Sequence, residues 1–224
     1  MTGRFDTFLF DADDTLFDTT QNEALTLKAL FLEKQLPYDQ DVLKRYRTIS
    51  REMWKEFENG KMLKSQVQHG RFARLIQELG LSADTSDFFE CYHRLSLERL
   101  ILEPHALEVC RTLSQTCHLY IITNGTASIQ WPRLEKAGLA PFFKDVFVSE
   151  DLGVQKPDPL YFEKVLKAAG TCRSRVLVVG DSLTSDIAGA NRAGLPCCWY
   201  NRARAVNCGT AHPDWEIYDL VELL

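Results

Sequence analysis

The residues best suited to chemistry in this sequence are acidic side chains that directly follow short apolar runs. Asp11 and Asp13 come after the first apolar run, and Asp181 and Asp186 follow a later one. Carboxylates gathered in one place repel one another unless a cation lies among them. Oxygen ligands with no His or Cys nearby favour Mg²⁺ over zinc or copper. If the fold brings these two segments together, the pattern predicts a magnesium site.

Three further side chains supply positive charge and hydrogen-bond donors. Thr123 and Asn124 follow another apolar run, and Lys156 stands just before the start of a predicted helix. One divalent ion, one lysine and several donors beside a carboxylate nucleophile suit phosphoryl transfer. Under this hypothesis Asp11 attacks phosphorus and Lys156 neutralises negative charge. Asp13 then protonates the leaving oxygen and later activates the water that resolves the aspartyl phosphate.

Short continuous apolar runs predict the strands that position these residues. The runs cover residues 5–10, 119–122, 146–148, 176–179 and 197–200. Continuous rather than alternating apolar residues are typical of strands buried on both faces of a parallel sheet. Helical patterns separate the runs from residue 100 onward, at 104–114, 158–170 and 186–194. This alternation predicts a doubly wound α/β domain, whose strand carboxyl ends bind ligands.

The stretch between the first strand and residue 100 has a different pattern. It contains no convincing strand, its apolar residues recur at helical spacing, and Pro37, Gly60 and Gly80 mark breaks. It therefore predicts four helices, many more residues than a plain crossover needs. We expect an α/β catalytic core formed by residues 1–17 and 101–224, with a helical cap, or lid, inserted at residues 18–100.

Composition excludes several other classes of protein. The 224 residues are 45% hydrophobic and carry a net charge of −5, which is ordinary for a globular chain and argues against a nucleic-acid binder. A basic stretch at residues 44–74 is interpreted either as a funnel for anionic substrates or as a solvated helical face.

No run is long and apolar enough for a membrane span, and the N-terminus lacks a signal-peptide layout. Seven scattered cysteines indicate free thiols, so a cytoplasmic protein is expected.

Four segments in order along the chain resemble the four motifs of the haloacid dehalogenase-like (HAD) hydrolases. They read DADDT at 11–15, TNG at 123–125, KPDP at 156–159 and GDSLTSD at 180–186. The helices inserted after the first motif are similar to the C1 cap of that family. The resemblance covers the chain from about residue 5 to its end. It implies a Rossmann-like α/β core and a Mg²⁺ cofactor.

The resemblance also implies a role for each matching residue. Asp11 is then the nucleophile and a metal ligand, and Asp13 is the general acid/base with its main-chain carbonyl on the metal. The remaining implied roles are phosphoryl binding by Thr123 and Asn124, the motif-three lysine for Lys156, a metal ligand for Asp181, and support of the metal shell by Asp186.

Asp13 bears on the reaction within the family. The dehalogenases proper lack a carboxylate at that position because they have no leaving alcohol to protonate, so its presence favours a phosphatase. More narrowly, the segments at 11–18, 149–159 and 180–187 resemble the pyrimidine 5′-nucleotidase subgroup. That likeness implies that the small-molecule phosphomonoester substrate is a nucleoside monophosphate such as UMP, dUMP or dTMP.

Two alternatives remain open at this point. One is another HAD enzyme of this fold, a phosphatase or a mutase acting on phosphosugars or phosphoglycolate. The other is a non-catalytic binding protein that kept the fold, although every expected carboxylate and the lysine are present. Release of free phosphate from a simple monoester separates the hydrolase from both the mutase and the binding protein.

Overall fold

A computed structural model of the chain describes residues 3–224. Met1 and Thr2, which belong to the N-terminal stretch where no signal peptide is expected, lie outside the described residues. The chain forms two compact units. One unit runs to Thr19 and resumes at Leu100, and the other comprises Thr20–Arg99. Over residues 3–224, no helix combines the length and the apolar character that a membrane crossing requires.

A six-stranded parallel sheet forms the centre of the first unit. Its strands are β1 (Thr7–Phe10), β2 (His118–Thr123), β3 (Phe143–Val148), β4 (Val176–Gly180), β5 (Cys197–Tyr200) and β6 (Trp215–Ile217). The spatial order is β3-β2-β1-β4-β5-β6, and every neighbouring pair is parallel. The chain therefore winds outward in both directions from β1. The point where strand order reverses, between β1 and β4, is where open α/β sheets bind ligands.

Helices connect the strands and form the second unit. Within the described residues the α-helices are α1 (Thr19–Glu33), α2 (Gln40–Glu58), α3 (Lys64–Glu78), α4 (Thr85–Ser96), α5 (Ala106–Leu113), α6 (Ala127–Lys136), α7 (Ser149–Leu152), α8 (Pro159–Ala169) and α9 (Ala188–Ala193). A π-helical turn at Leu183–Ile187 leads into α9. Such turns inside helical segments are often found at functional sites.

Alternate residues of β1 enter two separate hydrophobic cores. Phe8 and Phe10 pack in the core covered by α5 and α6, whereas Leu9 packs in the core covered by α8 and α9. Because side chains of a strand point to opposite faces in turn, both faces of β1 are buried. Burial of both faces explains why the apolar run of β1 is continuous rather than alternating. The predicted doubly wound parallel sheet is confirmed.

The predicted elements differ from the structure mainly at their ends. The helix expected at 104–114 is Ala106–Leu113, and the one expected to open near Asp186 is preceded by the π-helical turn. Cys197–Tyr200 was expected to be the last strand, but Trp215–Ile217 pairs with it in parallel. A three-residue strand is too short to show a hydrophobic pattern, which is why β6 escapes sequence analysis.

The unit Thr20–Arg99 is all helical and has its own core. Its buried residues come from all four helices and include Leu30, Tyr46, Phe72 and Phe88. Asp39 and Asp84 cap α2 and α4 by accepting hydrogen bonds from main-chain N–H groups. Ion pairs offset part of the basic stretch, since several of its cations lie beside carboxylates. These pairs are Arg47–Glu23, Lys61–Glu56, Arg74–Glu52 and Arg74–Glu78.

Candidate active site

The predicted site residues lie at the carboxyl ends of the central strands, at one edge of the sheet. Asp11 follows β1 and donates its main-chain N–H to the carbonyl of Val179 at 2.8 Å. Thr123 ends β2, and Asp181 follows β4, the two strands that flank β1. Because the three strands are parallel and adjacent, their carboxyl ends lie side by side. The structure therefore brings together residues that are far apart in the sequence.

Lys156 is the buried cation of the site, with only 2% of its surface exposed. Its Nζ donates to Asp11 Oδ1 at 2.6 Å, to Asp186 Oδ1 at 2.6 Å and to the carbonyl of Ile122 at 2.9 Å. These contacts use all three ammonium protons. Burial acts to lower the pKa of Lys156, but the two carboxylates outweigh it and raise the pKa. The lysine is thus held charged against the predicted nucleophile.

The side chain of Asn124 contacts the main chain of Lys156. Its Nδ2 donates to the carbonyl of Lys156 at 2.9 Å, and its Oδ1 accepts from the main-chain N–H of Lys156 at 2.9 Å. The amide thus fixes the backbone that carries the lysine, and Asn124 joins β2 to the lysine loop. These bonds use only one of the two Nδ2 protons, so the phosphoryl-binding role expected of Asn124 stays a prediction.

Thr123 keeps a hydroxyl proton for a further contact. Its Oγ1 accepts from the main-chain N–H of Gly125 at 2.8 Å and from Gln130 Nε2 at 3.3 Å. A hydroxyl that accepts two hydrogen bonds still has its own proton to donate. This arrangement is compatible with the phosphoryl-binding role predicted for Thr123, which stays a prediction.

Three carboxylates surround the lysine. Asp11, Asp181 and Asp186 each offer an oxygen, and these oxygens lie within 4.8 Å of one another. Burial raises the pKa of Asp11 to about 7, with Lys156 opposing this shift and Asp186 and Asp13 adding to it. The pKa of Asp181 is also raised, by burial first and then by the charges of neighbouring carboxylates. Like charges this close need a counter-ion for all of them to ionise.

The donor set fits a magnesium ion. All three side chains offer hard oxygen atoms, and no His or Cys belongs to this group within residues 3–224. Three carboxylates against one ammonium leave two negative charges, which a divalent cation would neutralise. The ligands expected from the motifs, Asp11, Asp181 and the main-chain carbonyl of Asp13 with support from Asp186, stay a prediction.

Two neighbours that sequence reasoning did not assign hold the nucleophile and Asp181 in place. Thr15 Oγ1 donates to Asp11 Oδ2 at 3.4 Å and accepts from the main-chain N–H of Asp181 at 3.1 Å. Trp199 Nε1 donates to the carbonyl of Asp181 at 2.8 Å. Trp199 lies on β5, the next strand beyond β4, and no motif in the sequence marks it. Only the strand order reveals this contact.

Asp186 occupies space that a glycine leaves open. Its Oδ2 accepts from the main-chain N–H of Ser182 at 3.1 Å, and its carboxylate is almost fully buried. A Cβ atom on Gly180 would lie 2.3 Å from Asp186 Oδ2 and 2.4 Å from its Cγ. Real Cβ atoms do not approach other atoms this closely, so any side chain at residue 180 must displace Asp186.

Replacement of Gly180 by alanine is expected to impair the site. The added methyl group moves Asp186 away from Lys156, and a displacement near 1 Å costs roughly 100-fold in activity. Overpacking should also lower the free energy of unfolding by about 1–3 kcal/mol. Steady-state kinetics and urea unfolding measure both effects. Gly209→Ala is the matched control, because nothing lies closer than 3.6 Å to a Cβ there; equal behaviour of the two variants would contradict the account.

Asp13 is held by residues of α6 and by the start of α1. Arg133 Nη1 donates to its Oδ1 at 2.6 Å, Thr19 Oγ1 donates to the same oxygen at 2.7 Å, and Gln130 Nε2 donates to its Oδ2 at 3.2 Å. Burial acts to raise the pKa of Asp13, but the Arg133 guanidinium and these hydrogen bonds hold the pKa below its ordinary value. Sequence analysis missed Gln130 and Arg133. Their spacing of three along a helix after the TNG segment was the available signal.

A second acidic group lies outside this cluster. Asp14, Asp18 and Glu103 also place oxygens within 4.8 Å of one another. Arg202 Nη1 lies 2.9 Å from Asp18 Oδ2 and 2.8 Å from Glu103 Oε2. The guanidinium of Arg202 therefore already neutralises part of the negative charge of this group. Asp14 itself has a φ of 57°, in the left-handed region that Asp tolerates better than most residues. We assign no metal to this second acidic group.

The metal-free protein is expected to lose stability as the pH rises from about 4 to about 7. The folded pKa of Asp11 is about 7, above its ordinary value of 3.8. A carboxyl group with a raised folded pKa carries no penalty below the ordinary value and the full penalty above the folded one. Added Mg²⁺ should therefore stabilise more near pH 8 than near pH 5.

Urea unfolding at both pH values, with Mg²⁺ and with EDTA, measures this effect. The Asp11→Asn variant lacks the titrating group and serves as the comparison. Its stability should vary less with pH than that of the wild type. A magnesium effect that is the same at both pH values, or absent at both, would contradict the proposed ligand set.

The parallel sheet, the switch point at β1 and the buried carboxylate–lysine cluster are typical of a doubly wound α/β protein with its site at the carboxyl ends of the strands. Residues 5–194 match the family model of the haloacid dehalogenase-like hydrolases. This chain belongs to that family. The predicted resemblance is confirmed.

Three known proteins similar to this chain align over almost its whole length. The HAD-hydrolase YfnB of Bacillus subtilis is 41% identical over 98% of this chain and 94% of its own. Its crystal structure, bound to magnesium, has a TM-score of 0.92 over 98% of this chain and 97% of that one. The pyrimidine 5′-nucleotidases PynA of Streptococcus pneumoniae and YjjG of Escherichia coli are 35% and 33% identical. They cover 96% and 98% of this chain, and it covers 92% and 96% of theirs.

Proposed function

We propose that this protein is a Mg²⁺-dependent phosphomonoester hydrolase that works through a phosphorylated Asp11. The observation that carries the proposal is the carboxylate of Asp13, two residues after the buried nucleophile and fixed there by hydrogen bonds. A hydrolase that releases an alcohol needs such a group to protonate the leaving oxygen, whereas a dehalogenase releases halide and does not. The haloacid dehalogenase reaction is therefore the less suitable one for this site.

The chain's own residues provide each step. Asp11 forms a bond to phosphorus as the bond to the leaving oxygen breaks, and Asp13 gives that oxygen its proton. Asp13 next takes a proton from water, whose oxygen attacks phosphorus and breaks the bond to Asp11. Inorganic phosphate leaves, Asp11 is regenerated as a carboxylate, and Asp13 is protonated again. Lys156 stabilises the charge on Asp11, and the Thr123 hydroxyl donates to the transferred group.

Magnesium would be held by Asp11, Asp181 and the main-chain carbonyl of Asp13, with Asp186 supporting them. When bound, it would neutralise the nucleophile and the phosphoryl oxygens, which eases the approach of two anions. The fit of three hard carboxylate oxygens to this ion supports the assignment.

The substrate class we propose is the pyrimidine nucleoside 5′-monophosphates. Two similar proteins that align with nearly the whole chain are named pyrimidine 5′-nucleotidases, which supports this choice. We further propose that the unit Thr20–Arg99 is the C1 cap of the family, because it is inserted between β1 and α5. A cytoplasmic location is proposed as well, supported by seven cysteines that form no disulfide.

Phosphate release from a panel of monoesters, with Mg²⁺ and with EDTA, tests the proposal. The panel holds UMP, dUMP, dTMP, AMP, phosphosugars and phosphoglycolate, and a 2-haloacid serves in a parallel assay for halide. We expect Mg²⁺-dependent release that is fastest from the pyrimidine nucleotides. Preference for phosphosugars or phosphoglycolate would retain the mechanism and overturn the substrate class. Halide release, or no release of phosphate from any monoester, would overturn the proposed function.

A further inference from the structure

We propose that Arg133 and Gln130 are positioning residues that fix the Asp13 carboxylate for proton transfer, an inference that rests on the proposed function. Both residues lie on α6, remote from Asp13 in the sequence, and both are buried. They contact different oxygens of the same carboxylate. A carboxylate held at both oxygens has one orientation, which is the condition for efficient proton transfer to a bound substrate.

Arg133 is itself firmly held. Its guanidinium carbon lies 4.2 Å from the centroid of the Phe17 ring, and its Nη2 donates to Thr19 Oγ1 at 3.3 Å. The ring supports the planar group from one side, while the hydrogen bonds fix its direction in the plane. The arginine is therefore a rigid support rather than a mobile surface cation.

The hydrogen bonds also identify which oxygen of Asp13 moves the proton. Oδ1 accepts from both Arg133 and Thr19, which occupies its two lone pairs. Among residues 3–224, the partner of Oδ2 is Gln130 alone, at the longer distance of 3.2 Å. One lone pair of Oδ2 thus remains to carry the proton. We assign proton transfer to Asp13 Oδ2.

Gln130 shows signs of a functional constraint. Its Nε2 donates to Asp13 Oδ2 and to Thr123 Oγ1, but its Oε1 is buried with no hydrogen-bond partner among residues 3–224. An unsatisfied buried acceptor is destabilising, so a side chain chosen only for packing would be apolar here. The fold keeps the amide because its N–H groups face the site.

Gly125 leaves the room that Gln130 requires. A Cβ atom at residue 125 would lie 2.2 Å from Gln130 Nε2 and 3.3 Å from Asp13 Oδ2. Any side chain there would push the amide off the carboxylate. The glycine of the TNG segment, the two α6 residues and Asp13 therefore form one arrangement.

The test compares two substrates whose leaving groups differ in their need for a proton. The 5′-oxygen of UMP must be protonated as it leaves, whereas p-nitrophenolate leaves without a proton. For Arg133→Gln we expect kcat/KM to fall about 100-fold for UMP, the lower end of what a general acid contributes. For p-nitrophenyl phosphate we expect a fall within about threefold, because kcat/KM reports only steps up to departure of the leaving group.

Gln130→Met keeps the volume, removes the unsatisfied oxygen and serves if Arg133→Gln fails to fold. We expect the same selectivity in this variant, with a loss of about 10-fold for UMP. Asp13→Asn should show the same selective pattern with a larger loss, and Arg111→Gln, an exposed arginine on α5, should leave both substrates unaffected. Equal losses on both substrates, or no loss on either, would overturn the positioning role.

A crystal structure of Gln130→Met separates this inference from the proposed function. We expect the Asp13 carboxylate to leave the orientation it has in the wild type. If the wild type hydrolyses no phosphomonoester, the proposed function fails, and this structure still decides whether α6 fixes Asp13. An unmoved carboxylate in the variant would overturn the inference whatever the kinetics show.

Discussion

Replacing Asp11 with asparagine is expected to abolish turnover while leaving the fold intact. The amide cannot form the bond to phosphorus, and loss of a nucleophile lowers kcat by roughly 10⁴-fold or more. The fold should tolerate the change because Lys156 retains Asp186 at 2.6 Å as an ionic partner. One of the clustered carboxylates is also removed, which relieves repulsion within the group.

Phosphate release and thermal unfolding of the same preparation measure these two effects. Asp145→Asn is the matched control, since Asp145 is exposed on β3 and accepts a hydrogen bond from the main-chain N–H of Val146. The control should retain activity. An Asp11→Asn variant that is folded and active would show that another residue is the nucleophile.

Replacing Lys156 with methionine should cause the largest loss of stability among substitutions at this site. The side chain is buried and pairs with both Asp11 and Asp186 at 2.6 Å. Methionine keeps the length but leaves these carboxylates without their cation, and removing one partner of a buried ion pair costs about 3–5 kcal/mol. Activity should be lost as well, because the nucleophile loses its neutralising charge.

Urea unfolding measures this loss, and two comparisons identify its cause. Lys167→Met, at an exposed position of α8, should leave stability within about 0.5 kcal/mol of the wild type. Adding Asp186→Asn to Lys156→Met should restore part of the loss, because one uncompensated charge is removed. Lower pH should also help, since burial raises the pKa of Asp11, and this carboxyl group loses its penalty on protonation. A loss unaffected by either would point to packing rather than charge.

Local signals in the sequence predict those elements whose ends are set by neighbouring residues. Asp158 accepts a hydrogen bond from the main-chain N–H of Leu160, Pro159 occupies the first turn of α8, and Gly170 ends the helix with a φ of 64°. Each feature depends on residues within one helical turn, so the predicted bounds agree with the structure. The order of the site motifs was likewise readable, because each follows an apolar run that forms a strand.

Contacts between distant residues do not follow from such signals. Arg133 and Asp13 are 120 positions apart, and Pro132 inside α6 obscures the helical pattern that carries the arginine. Asn124 is predicted from its type as a donor to substrate, which stays a prediction, and its type gives no sign that the amide also bonds to the backbone of Lys156. The type of a polar residue determines which groups it can bind. Its actual partner depends on how the chain packs.

Acid quenching during turnover tests the central claim most directly. p-Nitrophenyl phosphate, whose leaving group needs no proton, is mixed with the wild type and with Asp13→Asn in Mg²⁺, the protein is denatured in acid, and its peptides are analysed by mass spectrometry. The account predicts a phosphoryl group on the peptide that contains Asp11, removable by hydroxylamine, with more of it in Asp13→Asn because the attacking water lacks its base. Steady phosphate release with no phosphoryl group on that peptide in either protein, or with one on another residue, would contradict it.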